Sequence, residues 1–248
     1  MRITVGHLYP DYLNIYADRG NIAVLSVRAR RRGIELAVRG IGIDEPTPPD
    51  VDLFYIGGGQ DREQALVAPD LSSRGPALAE AVAGGVPVLA VCGGYQLLGR
   101  SYRDRSGFEQ PGAGLFPLET VAGERRMIGD VLIECTLDAG EPQTVAGFEN
   151  HAGRTILDRG ASPFGRVLHG FGNDGRSGFE GCRLGHAVGT YLHGPLLPRN
   201  PRLADWLLAK AVEYRTGEEP RFAELGDELE AEAHAVSAAR SRARGGRF

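Results

Sequence analysis

An apolar run, Val86-Pro87-Val88-Leu89-Ala90-Val91, ends in Cys92-Gly93-Gly94 and passes at once into the helix-like stretch Tyr95-Gln96-Leu97-Leu98-Gly99. Such a junction is a strand-to-helix elbow, which lifts the Cys92 side chain out of the sheet and points it at the unpaired N–H groups and dipole of the next helix. The alternation recurs along the chain. Residues 2–5 and 34–38 read as strands around a helix over 21–32, whose Ile22, Leu25 and Ala29 fall at helical spacing. Residues 50–56 read as a strand that runs into the turn Gly57-Gly58-Gly59-Gln60. A loop is expected at 69–75, then a helix at 76–82 stopped by Gly84-Gly85. Strands alternating with helices predict an α/β fold with a doubly wound, mostly parallel sheet, whose sites gather at the carboxyl ends of the strands. Cys92 and the glycine turn both fall at such ends.

Residues 108–193 break into short strand-like runs separated by glycine, read as an extension of the sheet with site-forming loops. Leu203, Trp206, Leu207 and Ala211 give one apolar face to a helix over 203–215. Beyond Gly217 the chain is acidic through Glu232 and then basic from Arg240 to Arg247, the pattern of a solvated helix and a frayed tail. The expected organisation is therefore a globular domain at 1–215 and a charged helical extension with a flexible tail at 216–248.

With 248 residues, 42% hydrophobic and 24% charged, the composition is that of an ordinary soluble globular protein. A formal charge of −4 leaves no basic footprint for nucleic acid. No run of apolar residues is long enough to span a membrane, and the first residues read as a strand, so a cytoplasmic location is expected. Lys210 is the only lysine and sits between Ala209 and Ala211, so the chain has no phosphate-binding Gly-Lys-Ser/Thr loop.

Three cysteines with no CxxC pair give neither a disulfide framework nor a zinc site. Cys135, in a plain strand pattern, and Cys182, in a glycine-rich segment, read as packing residues. Only Cys92 has the context of a nucleophile. A thiolate that attacks a carbonyl needs a base and needs donors for the developing oxyanion. His193, in Thr190-Tyr191-Leu192-His193-Gly194-Pro195, and His151, in Glu149-Asn150-His151-Ala152-Gly153, are rival bases that spacing does not separate. His7 is placed near the same rim, while His169, His186 and His234 lack site chemistry around them. The donors expected are the backbone N–H groups of Gly58, Gly59 and Gly93.

Four blocks, Cys92-Gly93-Gly94-Tyr95-Gln96, Gly57-Gly58-Gly59-Gln60-Asp61, residues 147–155 and Tyr191-Leu192-His193-Gly194-Pro195, together resemble the class I glutamine amidotransferases of the cobyric acid synthase branch, a flavodoxin-like fold. Residues 11–22 narrow the resemblance to the GatD-type glutaminase subunits of lipid II isoglutaminyl synthase. The resemblance implies that Cys92 attacks the side-chain amide of L-glutamine, that His193 protonates the departing ammonia, and that water hydrolyses the glutamyl thioester. It implies a role for Arg126 in holding the substrate. It implies a heterodimer in which a Mur ligase-like synthetase subunit carries ATP and Mg and amidates the D-glutamate of lipid II to D-isoglutamine, with no cofactor on this chain. Two positions depart from the wider class. Ala90 stands where glycine is common, and Pro195 stands where a glutamate often follows the base, so a carboxylate of the partner is expected to orient His193. A stand-alone cysteine hydrolase or peptidase, a non-catalytic regulatory subunit and a cobyric acid-type acceptor are the alternatives.

Overall fold

The computed structural model describes residues 1–14, 19–138 and 140–244. Its first sheet has the order β11-β12-β4-β3-β1-β2. The strands are β1 (Arg2–Leu8), β2 (Glu35–Ile41), β3 (Leu53–Ile56), β4 (Val88–Val91), β11 (Cys182–Leu184) and β12 (Ala187–Thr190). All neighbours are parallel except β11, which pairs antiparallel with β12 at one edge. Helix α1 (Arg19–Arg31) crosses from β1 to β2, and α2 (Asp61–Ala83) crosses from β3 to β4 in the opposite direction. Right-handed crossovers then place the two helices on opposite faces and leave a crevice at the carboxyl edge where direction reverses. Every residue of β3 and β4 is buried, as a strand covered on both faces requires. The expected α/β fold is thus the fold observed.

Three local expectations are corrected. The loop at 69–75 is absent, because α2 continues through Pro69 and Pro76. A helix-interior proline costs about 3 kcal/mol, but one buried stripe of Gln64, Val67, Ala68, Leu71, Gly75, Leu78 and Val82 offsets it. A polar knot also grips the middle of α2. Tyr9, at a strained φ of 52°, donates its hydroxyl to Asp70 at 2.5 Å, and Arg74 donates to both. Gly75 is required there because a side-chain carbon would run into the carbonyl of Ala113.

Residues 108–193 do not simply extend the first sheet. Only β11 and β12 do so; the others form a second sheet of order β10-β9-β7-β5-β6, with β8 also paired to β7. It comprises β5 (Ser101–Arg103), β6 (Glu109–Pro111), β7 (Leu118–Cys135), β8 (Gln143–Leu157), β9 (Gly165–His169) and β10 (Phe179–Glu180). The long β7–β8 ladder loses register between Ala122 and Met127.

The charged extension is anchored. Helix α4 (Pro201–Thr216) ends on Gly217 in the left-handed region, φ 76°. Asp227, beyond that turn, and Asp205 of α4 share Arg28 of α1, with N–O distances of 2.6 to 2.8 Å. Helix α5 (Glu228–Arg244) then lies on β7 and β8, burying Ser237, Ala238 and Ser241, while His234 bonds to Thr144 at 2.8 Å. A solvated helix would turn none of these inward. Arg247 lies outside the described residues.

Candidate active site

Cys92 joins β4 to a short helix, α3 (Gly93–Leu97), and is held at φ 50°, ψ −107°. A non-glycine residue at positive φ stores strain of order 1–3 kcal/mol, which persists only where the surroundings fix it. Two neighbouring segments do so. The Cys92 N–H donates to the carbonyl of Thr190 at 2.8 Å, and the Gly94 N–H donates to the carbonyl of Gly57 at 3.1 Å. A carbon added at Gly93 would lie 2.9 Å from the Gly59 nitrogen and 2.9 Å from the Gln64 Nε2. No side chain fits at Gly93 unless the glycine turn moves. The elbow and the Gly57-Gly58-Gly59 turn, separate in sequence, are therefore one packed unit.

This unit forms one wall of a cavity of ≈460 Å³ lined by Cys92, Gly59, Gln64, Gln96, Arg126 and His151, among others. Cys92 is 6% exposed and is one of the residues that line the cavity. Arg126 enters from β7 inside the stretch of lost register, and its guanidinium donates to the side chain and backbone carbonyl of Asn150 at 2.9 and 2.8 Å. Cys135 and Cys182 lie elsewhere, and burial pushes both thiols up to about 12.

His193 follows β12, the parallel neighbour of β4, so it emerges at the same sheet edge as Cys92. Its backbone is pinned to Phe148 by a pair of hydrogen bonds at 3.0 and 3.2 Å. It is 1% exposed, and neither it nor Gly58 is among the residues that line the cavity. His151, the rival, reaches the cavity, but its ring is spent on the protein. Its Nδ1 faces the Gly153 carbonyl at 2.9 Å and its Nε2 faces Glu149 at 3.5 Å, and it stacks on Tyr191 at 3.5 Å between centroids. Tyr191 in turn accepts from Gln96 at 3.1 Å and bonds to Thr155 at 2.6 Å. This buried network engages both ring nitrogens of His151 and one face of its ring. His7 is not on the rim; it packs on Tyr55, with centroids 5.1 Å apart, outside the cavity lining.

Burial, reinforced by the charges of His151, Arg126 and Arg199, pushes His193 down to about 4. Burial and Arg19 push His7 down to about 4, against a smaller opposing pull from Asp11. Glu180 is buried against the Tyr191 N–H at 2.6 Å and the Thr190 hydroxyl at 3.0 Å, and burial with the nearby Glu149 charge pushes it up to about 8. These shifts have opposite signs in stability. Below 6.5 the unfolded chain protonates both histidines while the fold keeps them neutral to about 4, so stability falls with acid. Above 4.5 the unfolded chain ionises Glu180 while the fold keeps it protonated to about 8, so that contribution is lost as pH rises. From 4.5 to 6.5 the two histidines outweigh the one carboxyl. From these three groups the melting temperature should peak near pH 6.5 and fall by the equivalent of about 1 kcal/mol toward pH 8. Glu180→Gln should flatten that alkaline limb; an unchanged limb in a calorimetric pH series would refute the assignment.

Gln64, Gln96, Tyr102 and Asn150 also line the cavity, and none had been singled out by sequence. Gln96 was within reach, since it lies on the helix that leaves the elbow. Among the described residues, no group of three His, Cys, Asp or Glu side chains is placed to hold a metal ion.

Residues 4–201 match the CobB/CobQ-like glutamine amidotransferase domain. The Staphylococcus aureus (strain N315) "Lipid II isoglutaminyl synthase (glutamine-hydrolyzing) subunit GatD" is 42% identical over 235 residues, 94% of this chain and 94% of that protein. Its namesake from Streptococcus pneumoniae (strain ATCC BAA-255 / R6) is 34% identical over 93% of this chain and 88% of that protein. Among solved structures, PurLQS from Thermotoga maritima superposes with a TM-score of 0.58 at 17% identity, over 86% of this chain and 96% of that one, a likeness of fold alone.

Proposed function

Since this chain belongs to the CobB/CobQ-like glutamine amidotransferase family and is an enzyme of that class, we propose that it is the glutaminase subunit of a lipid II isoglutaminyl synthase. The observation that carries this is the strained Cys92 elbow packed on the glycine turn, with Arg126 entering the same cavity. Neutral His193 takes the Cys92 proton, and the sulfur bonds to the side-chain carbonyl carbon of L-glutamine as the carbonyl π electrons move onto oxygen. The N–H groups of Gly93 and of Gly58 or Gly59 receive that oxyanion. As it collapses, the C–N bond breaks, the nitrogen takes the proton from His193, and ammonia leaves. Water, deprotonated by His193, then hydrolyses the thioester and frees glutamate. Arg126 holds the substrate carboxylate.

The ammonia serves a Mur ligase-like synthetase subunit, which spends ATP with Mg to amidate the lipid II D-glutamate to D-isoglutamine. No helix among the described residues is long and apolar enough to cross a membrane, and the heterodimer works in the cytoplasm. His193 is buried among cationic groups that hold it low, so a carboxylate from the partner would raise it and make the proton relay efficient. The test is glutamine hydrolysis by the full chain with and without the co-expressed synthetase subunit. Turnover should rise at least about tenfold in the complex. Equal turnover would remove the partner carboxylate from the reading. Cleavage of peptides without cleavage of glutamine would replace the reading with a peptidase.

A further inference from the structure

Gln64 lies in the first turn of α2, is 2% exposed and lines the cavity with Cys92. Its Nε2 donates to the carbonyl of Gly59 at 3.1 Å, which fixes the orientation of the amide. The other end, Oε1, has no hydrogen-bond partner among the described residues. A buried acceptor left unmet costs about 1–3 kcal/mol, so an amide oxygen kept here points to a donor that arrives with a ligand. The side chain also touches both segments that frame the sulfur, since its Nε2 lies 2.9 Å from where a carbon on Gly93 would be. Gln64 thus packs against the segments that frame the sulfur and lines the cavity beside them.

We propose that Gln64 Oε1 accepts a hydrogen bond from the carboxamide nitrogen of bound L-glutamine, and that this contact separates glutamine from its product, glutamate. The proposal rests on the glutaminase reading. At this position glutamine offers N–H groups, whereas glutamate offers a carboxylate oxygen that meets Oε1 with repulsion. Gln64 takes up no proton in the reaction. It keeps hold of the nitrogen as the C–N bond breaks, and glutamate, once formed, is no longer held. A site built to hydrogen-bond one group rejects the analogue lacking it far more strongly than an apolar pocket does.

The test uses the full chain carrying Cys92→Ala, co-purified with its synthetase subunit so that binding is read without turnover. Calorimetry should show L-glutamine bound more tightly than L-glutamate. Adding Gln64→Met should weaken glutamine by about 10–100-fold and leave glutamate unchanged or bound more tightly, so the preference collapses. 4-Carbamoylbutyrate, which keeps the carboxamide but lacks the α-ammonium, should lose affinity by the same factor as glutamine. Equal losses for glutamine and glutamate would overturn the proposal, because a packing role for Gln64 affects both alike. An unchanged 4-carbamoylbutyrate affinity would also overturn it and assign Gln64 to the α-ammonium. Should Gln64→Met fail to fold, Gln64→Leu, which also removes the amide and keeps most of the volume, should collapse the preference in the same way, and an unchanged preference would overturn the proposal. If the Cys92→Ala parent binds neither glutamine nor 4-carbamoylbutyrate, the glutaminase reading falls, and this contact with it.

Discussion

Replacing Cys92 with alanine should lower glutamine-dependent amidation by about 10⁴-fold or more, while the same complex supplied with ammonium salt keeps its rate. The size follows from the division of chemistry. Without the sulfur there is no thioester, and the oxyanion donors alone retain only a small part of the acceleration. In the proposed division of labour the partner's ligation step does not use the thiol, so external ammonia bypasses the lesion. Alanine at φ 50° carries the same backbone strain as cysteine, and the glycine turn still packs against Gly93. The variant should therefore melt within a few degrees of the parent. Loss of both activities would make Cys92 a structural residue and would sink the mechanism. Cys135→Ala is the matching control, since its thiol is buried in β7 away from the cavity.

The largest loss of stability should come from Arg28→Ala. Arg28 is 2% exposed and sits between Asp205 and Asp227, making two hydrogen bonds to each. Removing a buried cation leaves its carboxylates facing one another, at a cost of about 3 kcal/mol or more. Arg32 bonds to Asp205 at 2.8 Å, whereas at Asp227 Arg31 and Arg32 act only as nearby charges, so the compensation is partial. For a chain of this size the melting temperature should fall by roughly 6–12 °C. The segment after Gly217 should also become a protease target, because Asp227 ties it to α1. Asp227→Asn, which keeps hydrogen-bonding capacity, should cost less. A shift under about 2 °C for Arg28→Ala would show that the cluster adds little net stability.

The parts legible in the sequence were those written in a few adjacent residues. The β4 strand and the Cys92 elbow form one local pattern, and the glycine turn after β3 forms another. What escaped depends on distance along the chain. Pro69 and Pro76 are local signals to stop a helix, and their override comes from the stripe that α2 buries and from Tyr9 gripping Asp70. Period-two runs in 108–193 state that strands exist, but not which sheet they join. The charges after Gly217 look solvated until Arg28 is seen 199 positions away from Asp227. His151 and His193 were equal by spacing; the stacking of His151 on Tyr191 and its facing Glu149 separate them. Gln64 was invisible because nothing in Gln60-Asp61-Arg62-Glu63-Gln64 says which face of the first turn meets Gly93.

The slip in the β7–β8 ladder between Ala122 and Met127 gives the hairpin two independent regions. On either side the strands are locked in register, so the frame tolerates little change in length. The short arc between them, which carries Arg126, has no ladder pairing in this stretch and is tied to β8 through side chains, Arg126 to Asn150 and Arg154 to the Arg125 carbonyl. Because its ties to β8 are side-chain bonds, an exchange of residue in that arc alters what reaches the cavity while the backbone ladder on either side is kept.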